Sequence, residues 1–152
     1  TTLFRSGPSA RARKAAFTQA CITHEVDALT VPGGDNVDAG FLAVRAGLPA
    51  GVDALVCYND QCAHGAILAL LGDGLVPGRD MLVVGCDNSA IASSRALSLT
   101  SIDRAPSRVA SLAVDQAIAR ALSDGGSPAR QRVDTELVVR ASTGQPRGTN
   151  CP

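Results

Sequence analysis

Four short polar runs in this chain each follow a stretch of apolar residues. They are Ser6-Gly7-Pro8-Ser9, with Arg11 and Arg13 beyond it, Gly33-Gly34-Asp35-Asn36, Asn59-Asp60 and Asp87-Asn88. Among them stand guanidinium, carboxylate and amide groups. A carboxylate accepts two hydroxyl hydrogen bonds, an amide gives one and takes one, and arginine donates through a planar fork. Gathered at one place, such groups suit a small polyhydroxylated molecule. Each also has a plainer reading. Asn59-Asp60 reads equally as a turn and helix cap, and Asp87-Asn88 as a cap for whatever follows it. Arg13, on an Ala-rich stretch, reads also as a solvated surface residue.

Signatures of covalent chemistry are missing. There is no G-x-G-x-x-G after a strand, no phosphate-binding P-loop and no G-x-S-x-G. His64 stands one residue after a core-facing Ala with no nucleophile beside it, which reads as a structural or surface histidine. Cys57 has no identifiable base. No catalytic residue is therefore expected. The cysteines, Cys21, Cys57, Cys62, Cys86 and Cys151, are five and show no C-x-x-C spacing. That pattern reads as reduced, mostly buried thiols of a cytoplasmic protein. With only His24 and His64 beside them, a zinc site is poorly supplied, and no metal or cofactor is expected.

The formal net charge is zero, with arginines scattered among acids. This stretch alone is not expected to grip nucleic acid through phosphates. No run reaches membrane-spanning length and no signal peptide is evident, so no membrane partner is expected. The chain opens on Thr1-Thr2-Leu3-Phe4, mid-strand in pattern and without an initiator Met. The expectation is a fragment of a longer protein.

The elements that must position these groups follow from patterning. With 152 residues, 45% apolar and 3% aromatic, the core must be built of Ala, Val, Leu and Ile. That composition suits a parallel sheet under Ala-rich helices. Short apolar runs read as strands at Leu3-Phe4, 26–31, 54–58, 81–85, 99–102 and 133–140. Helical spacing lies between them at about 8–21, 37–46, 61–71, 89–97 and 106–123. Gly47 and Gly125-Gly126 read as helix stops. In the 61–71 segment Ala63, Ala66, Ile67, Leu70 and Leu71 form one stripe, with Asp60 as its cap. Strands alternating with helices imply βαβ units. The fold class is α/β, a three-layer Rossmann-like parallel sheet flanked by helices. Ligands of such sheets sit outside the carboxyl ends of the strands, so all four polar runs belong to one rim.

A family resemblance adds to this. The segment Asp53-Ala54-Leu55-Val56-Cys57-Tyr58-Asn59-Asp60-Gln61-Cys62-Ala63-His64-Gly65-Ala66 resembles a motif of the lactose-repressor (LacI/GalR) family. So do Gly74-Leu75-Val76-Pro77-Gly78-Arg79-Asp80 through Gly85-Cys86-Asp87-Asn88, then Leu99-Thr100-Ser101-Ile102, and finally Leu137-Val138-Val139-Arg140-Ala141-Ser142-Thr143. The opening Ser6-Gly7-Pro8 with Arg11, Arg13 and Phe17 resembles the family's first motif. The motifs keep their order and spacing over nearly the whole chain.

The resemblance implies a periplasmic-binding-protein-like core of type I, with two lobes and a cleft between them. Residues 1–102 would be the C-terminal lobe, 103–124 a helix of the N-terminal lobe, 125–143 a return to the C-terminal lobe and 144–152 a loose tail. Arg13, Asn59 and Asp87 match the family's ligand-binding positions. Asn36 falls where many members place an aromatic, so ring stacking on a flat sugar face is lost there. Ala63, Ala66, Ile67, Leu70 and Leu97 are the candidates for a homodimer contact, although the helical stripe could equally pack on its own sheet. The implied function is the effector-sensing and dimerisation part of a bacterial transcriptional regulator responding to a sugar-like molecule. Operator DNA would be reached through a helix-turn-helix outside this chain. Two other classes remain open: a periplasmic sugar-binding protein of a transport system, and a doubly wound enzyme using Asp87 or Asp60 as base.

Overall fold

The computed structural model describes residues 1–4, 7–122 and 130–144. Ser6, the Gly125-Gly126 stop, Cys151 and most of the tail lie outside them. The described elements are β1 (Thr2–Phe4), α1 (Pro8–Thr23), β2 (Thr30–Pro32), α2 (Val37–Arg45), β3 (Ala54–Cys57) and α3 (Asp60–Gly72). Then come β4 (Leu82–Cys86), β5 (Thr100–Asp103), α4 (Pro106–Leu122), β6 (Glu136–Val138) and a 3-10 turn, Ala141–Thr143.

The strands form one sheet in the order β2-β1-β3-β4-β5-β6. The first five run parallel, and β6 joins antiparallel to β5 through Ile102 and Leu137. The expected parallel sheet is thus a mixed one. Its order steps outward from β1 in both directions, which makes the β1/β3 border a topological switch point. Right-handed crossovers then put α1 on one face and α2 with α3 on the other.

The core lies on the second face. Ala43 and Val44 of α2, Leu55 and Cys57 of β3, and Val83 of β4 meet Cys62, Ala63, Ala66, Ile67, Ala69 and Leu70 of α3. Two glycines set the distance between the helices. A Cβ on Gly65 would overlap the Val37 carbonyl, and one on Gly40 would overlap the Cys62 carbonyl. The helices approach backbone to backbone, and Gly65 of the motif segment Asp53 to Ala66 is a packing residue.

This corrects the expected dimer face. Ala63, Ala66, Ile67 and Leu70 are buried inside the chain, so they cannot meet a second copy. Leu97 is partly buried against the same core. The packing alternative describes the stripe. Leu71, read with it, turns outward beside Leu68.

Other boundaries moved for identifiable reasons. β2 is only Thr30–Pro32, because 24–29 turns out of α1, with Val26 N–H donating to Cys21 O at 2.9 Å. Residues 89–97 make turns and no helix. There the Ser93 and Ser94 hydroxyls donate to the Ala90 and Ile91 carbonyls at 3.0 and 2.8 Å and divert the bonds a helix needs. The α2 stop is as expected, with Gly47 at φ 101.

The last two motifs hold each other. Ser142 Oγ, buried, donates to Val83 O at 2.6 Å and accepts from Thr100 N at 2.8 Å. Thr100 Oγ1 meets Thr143 Oγ1 at 2.8 Å and accepts from Arg140 N at 2.8 Å. A Cβ on Gly78, at φ 82, would overlap the Ala141 carbonyl. These residues fasten the returning strand and do not line the rim.

Candidate functional site

Arg13 reaches the rim from the second turn of α1. Its Nη1 donates to Tyr58 O at 2.8 Å and lies 3.7 Å from Cys86 Sγ, and the guanidinium stands 4.6 Å from the centre of the Tyr58 ring. A carbonyl and a ring face fix the fork in place. Arg13 therefore ties α1 to the ends of β3 and β4.

Asn59 is both rim residue and helix cap. Its Oδ1 accepts from Cys62 N at 2.9 Å, and its Nδ2 donates to Asp35 O at 2.8 Å, joining the β2 and β3 ends. Asn36 caps α2, accepting from Ala39 N at 2.9 Å, and is exposed. The cap of α3 is thus Asn59 and not Asp60.

Asp60 turns inward. It is 1% exposed, and three donors surround it. Ser89 N and Ser89 Oγ reach Oδ2 at 2.7 and 2.8 Å, and Ser101 Oγ reaches Oδ1 at 2.6 Å. A Cβ on Gly85 would overlap Oδ1, which accounts for the glycine in the β4 motif. With its lone pairs occupied, Asp60 is a structural node, and a base role for it is not supported.

Asp87 and Asn88 follow β4 with φ of 113 and 46, a left-handed turn unusual for non-glycine residues. Asp87 N–H holds Ile102 O at 2.9 Å, and Asn88 N–H holds Ser101 Oγ at 3.0 Å. Asn88 also donates to Asp103 Oδ2 at 2.9 Å and accepts from Arg140 Nη2 at 2.6 Å. The hydrogen bond from Asn88, aided by that from Ala105 N–H, holds the Asp103 carboxyl below its ordinary pKa. The bent turn points the Asp87 carboxylate at the rim, where Oδ1 lies 2.5 Å from Arg104 Nη2. That atom is shielded from solvent, yet no N–H or O–H is aligned on it as a hydrogen bond. The arginine compensates its charge and leaves its directional capacity unspent.

The Cys86 thiol feels Arg13, Asp87 and Arg104 together. Burial pushes the Cys86 thiol up, Arg13 pulls it down, Asp87 pushes it up and Arg104 pulls it down. The rim opens into a pocket of about 450 Å³ lined by Asp87, Arg104, Pro106, Val109, Ala110 and Ala113. In the core Cys57 and Cys62 share a hydrogen bond that raises the first thiol and lowers the second. Cys21, Cys57, Cys62 and Cys86 are all unpaired thiols.

Arg13, Asn59 and Asp87 therefore converge on one edge, as the strand-end rule predicts. Tyr58 and Arg104 were missed. Tyr58 is adjacent to Asn59, and Arg104 lies just beyond the β5 end, where the same rule applied to the fifth strand finds it. Among the described residues no group of three His, Cys, Asp or Glu could hold a metal, and no helix is long and apolar enough to cross a membrane.

Comparison with known proteins agrees with this architecture. The model of the periplasmic binding protein-like domain matches residues 2–143. The chain is 27% identical over 140 residues to the probable HTH-type transcriptional repressor ExuR of Bacillus subtilis (strain 168), covering 88% of this chain and 42% of that protein. A LacI transcriptional regulator from a Rhodococcus species superposes with a TM-score of 0.86 at 29% identity, over 94% of this chain and 55% of the other. A sugar-binding LacI-family transcriptional regulator from Escherichia coli, complexed with phosphate, gives a TM-score of 0.79 at 25% identity, over 96% and 55%. The chain thus spans about half the length of the relatives it matches. Over that span the sheet order, the interlocked motifs and the sequence match agree, and the chain belongs to the periplasmic binding protein-like domain family, in the form found in the effector-binding portion of LacI-type regulators.

Proposed function

We propose that this chain is the effector-sensing and dimerising portion of a cytoplasmic, DNA-binding transcriptional regulator, and that its rim binds a small polar effector of the sugar class without transforming it. The observation that carries this is the convergence of Arg13, Asn59 and Asp87 at the carboxyl edge of the sheet beside its switch point. Hydroxyl donors match the unspent Asp87 Oδ1, and Asn59 and Arg13 are already oriented by their own partners. Asn36 adds a polar flank at the outer margin. The relatives, one of them named as sugar-binding, are regulators, which favours this reading over a transport protein.

Residues 1–102 are the C-terminal lobe, 103–124 belongs to a first lobe supplied by the longer protein, and 125–143 returns. The absence of any buried residue on α4 supports this division. A second copy would be met through the outward Leu68 and Leu71 of α3, since the stripe behind them is consumed by the core. Operator DNA would be contacted by a separate helix-turn-helix. Effector binding biases the arrangement of the lobes, a coupling of typically ~1–3 kcal/mol.

Thermal melting of the intact protein against sugars, polyols and nucleosides tests the site. A true effector near a hundredfold its Kd adds about 2.7 kcal/mol, which raises Tm by several degrees. Asp87→Ala should remove that shift while the ligand-free Tm changes little. A shift that survives Asp87→Ala, or catalytic turnover of the ligand, sinks the reading.

A further inference from the structure

We propose that Arg104 is a specificity-determining residue of this site and selects an effector that carries an anionic group, carboxylate or phosphate, beside its hydroxyls. The inference rests on the rim being an effector site and names the chemical class it takes.

The ligand-free site is internally neutralised. Arg104 Nη2 lies 2.5 Å from Asp87 Oδ1 and shields an oxygen on which no donor is aligned. An effector hydroxyl would give that oxygen a directed hydrogen bond, but only by moving the guanidinium aside. The arginine side chain is 52% exposed, so it is free to swing. Its charge then needs a new partner.

The lining of the pocket supplies no second carboxylate. Asp103, the adjacent acid, already accepts from Asn88 Nδ2 at 2.9 Å and Ala105 N at 2.6 Å. Asp60 is enclosed by Ser89 and Ser101. The other walls of the pocket are Pro106, Val109, Ala110 and Ala113. Glu136 stands opposite Asp103 across β5 and β6 but does not line the pocket. Arg13 is held on Tyr58, Arg140 is committed to Asn88 Oδ1 and Leu99 O, and α4 presents its N-terminal end at Pro106. A displaced guanidinium in this setting is left to solvent alone unless the ligand brings it an anion. A neutral sugar exchanges the ion pair for a hydroxyl hydrogen bond and leaves the guanidinium to solvent. An acidic sugar exchanges one carboxylate partner for another anion.

Isothermal titration of the intact protein checks this with glucose, galactose and ribose, and with glucuronate, galacturonate and ribose 5-phosphate as their acidic counterparts. At least one acidic member should bind about 10- to 100-fold more tightly than its neutral parent. A uronate winning identifies a carboxylate, and ribose 5-phosphate winning identifies a phosphate. Arg104→Gln should abolish the preference, so that acidic and neutral members bind alike. A neutral sugar binding as tightly as its acidic counterpart overturns the inference and leaves the effector site standing. A preference that persists in Arg104→Gln also overturns it. Failure of all six to bind overturns both.

Discussion

Asp60 and Asp87 each follow an apolar strand, and the fold sends them opposite ways. Asp60 faces inward and gathers Ser89 N, Ser89 Oγ and Ser101 Oγ. Asp87 is turned outward by a left-handed backbone and is met by Arg104. The patterning of one residue after a strand does not distinguish these fates, because the direction depends on which loop crosses above. That is why Asp60 read as a cap. Asn59, one residue earlier, has its amide at the same helix start and takes the cap instead. The prediction at this scale concerns Asp60. Asp60→Ala removes the common acceptor and strands the buried Ser101 hydroxyl and the Ser89 amide. The expected cost is about 3–5 kcal/mol, because three donors lose their acceptor at roughly 1–3 kcal/mol for each one left buried and unsatisfied. Asp60→Asn, which keeps the shape and one acceptor oxygen, should cost less. Urea unfolding midpoints of both variants measure it. Equal stability of Asp60→Ala and wild type would remove Asp60 from its structural role.

Helices were easier to find than their partners. α1, α2, α3 and α4 all fall within a few residues of where apolar spacing puts them. A helix declares itself through local period, while a strand is fixed by a neighbour far along the chain. So β2 shrank to three residues, 133–140 kept only Glu136–Val138 as strand, and the serines of 89–97 unmade an expected helix. The rim was largely legible because one topological rule applies to every strand end. Arg104 stands just past the end of the fifth strand, where the same rule holds. What the spacing could not convey is closeness between helices. Gly65 sits against Val37 O and Phe41 N in α2, whereas Gly72, on the same helix, has nothing within 4 Å of a built Cβ. The two glycines should therefore answer in opposite directions. Gly65→Ala forces α2 and α3 apart and should destabilise by about 1–3 kcal/mol or more, the cost of overpacking against backbone. Gly72→Ala meets open space and should stabilise by up to about 1 kcal/mol through helix propensity. Paired chemical denaturation gives both signs. Two losses of similar size would mean that the crossing is not held by backbone contact.

At the scale of the whole molecule α3 and α4 stand in contrast. α3 is wedged between the sheet and α2 and buries eight of its thirteen residues. α4, of seventeen residues, buries none, yet carries Val109, Val114, Ile118 and Leu122 on its surface. Exposed apolar side chains repeating along one helix imply a cover. The chain spans only about half of its relatives, and the division proposed above assigns α4 to a first lobe supplied by the longer protein. A helix packed into a second lobe should respond to mutation only when that lobe is there. Ile118→Asp in the intact protein would place a charge in an apolar interface and forfeit the burial of the isoleucine, at least about 2–3 kcal/mol. In the 152-residue chain alone, the same change falls on a surface position and should move stability by no more than about 0.5 kcal/mol. Hydrogen exchange gives an independent reading, since α4 amides should exchange more slowly in the intact protein than in the isolated chain. α4 begins two residues after Arg104, the residue that covers Asp87. On the proposed division an effector that moves Arg104 would act at the joint between the lobes, and slowed exchange should begin at the α4 N-terminus. Equal responses of both forms to Ile118→Asp, with equal exchange along α4, would leave that helix a surface element of this lobe and remove the joint from the mechanism.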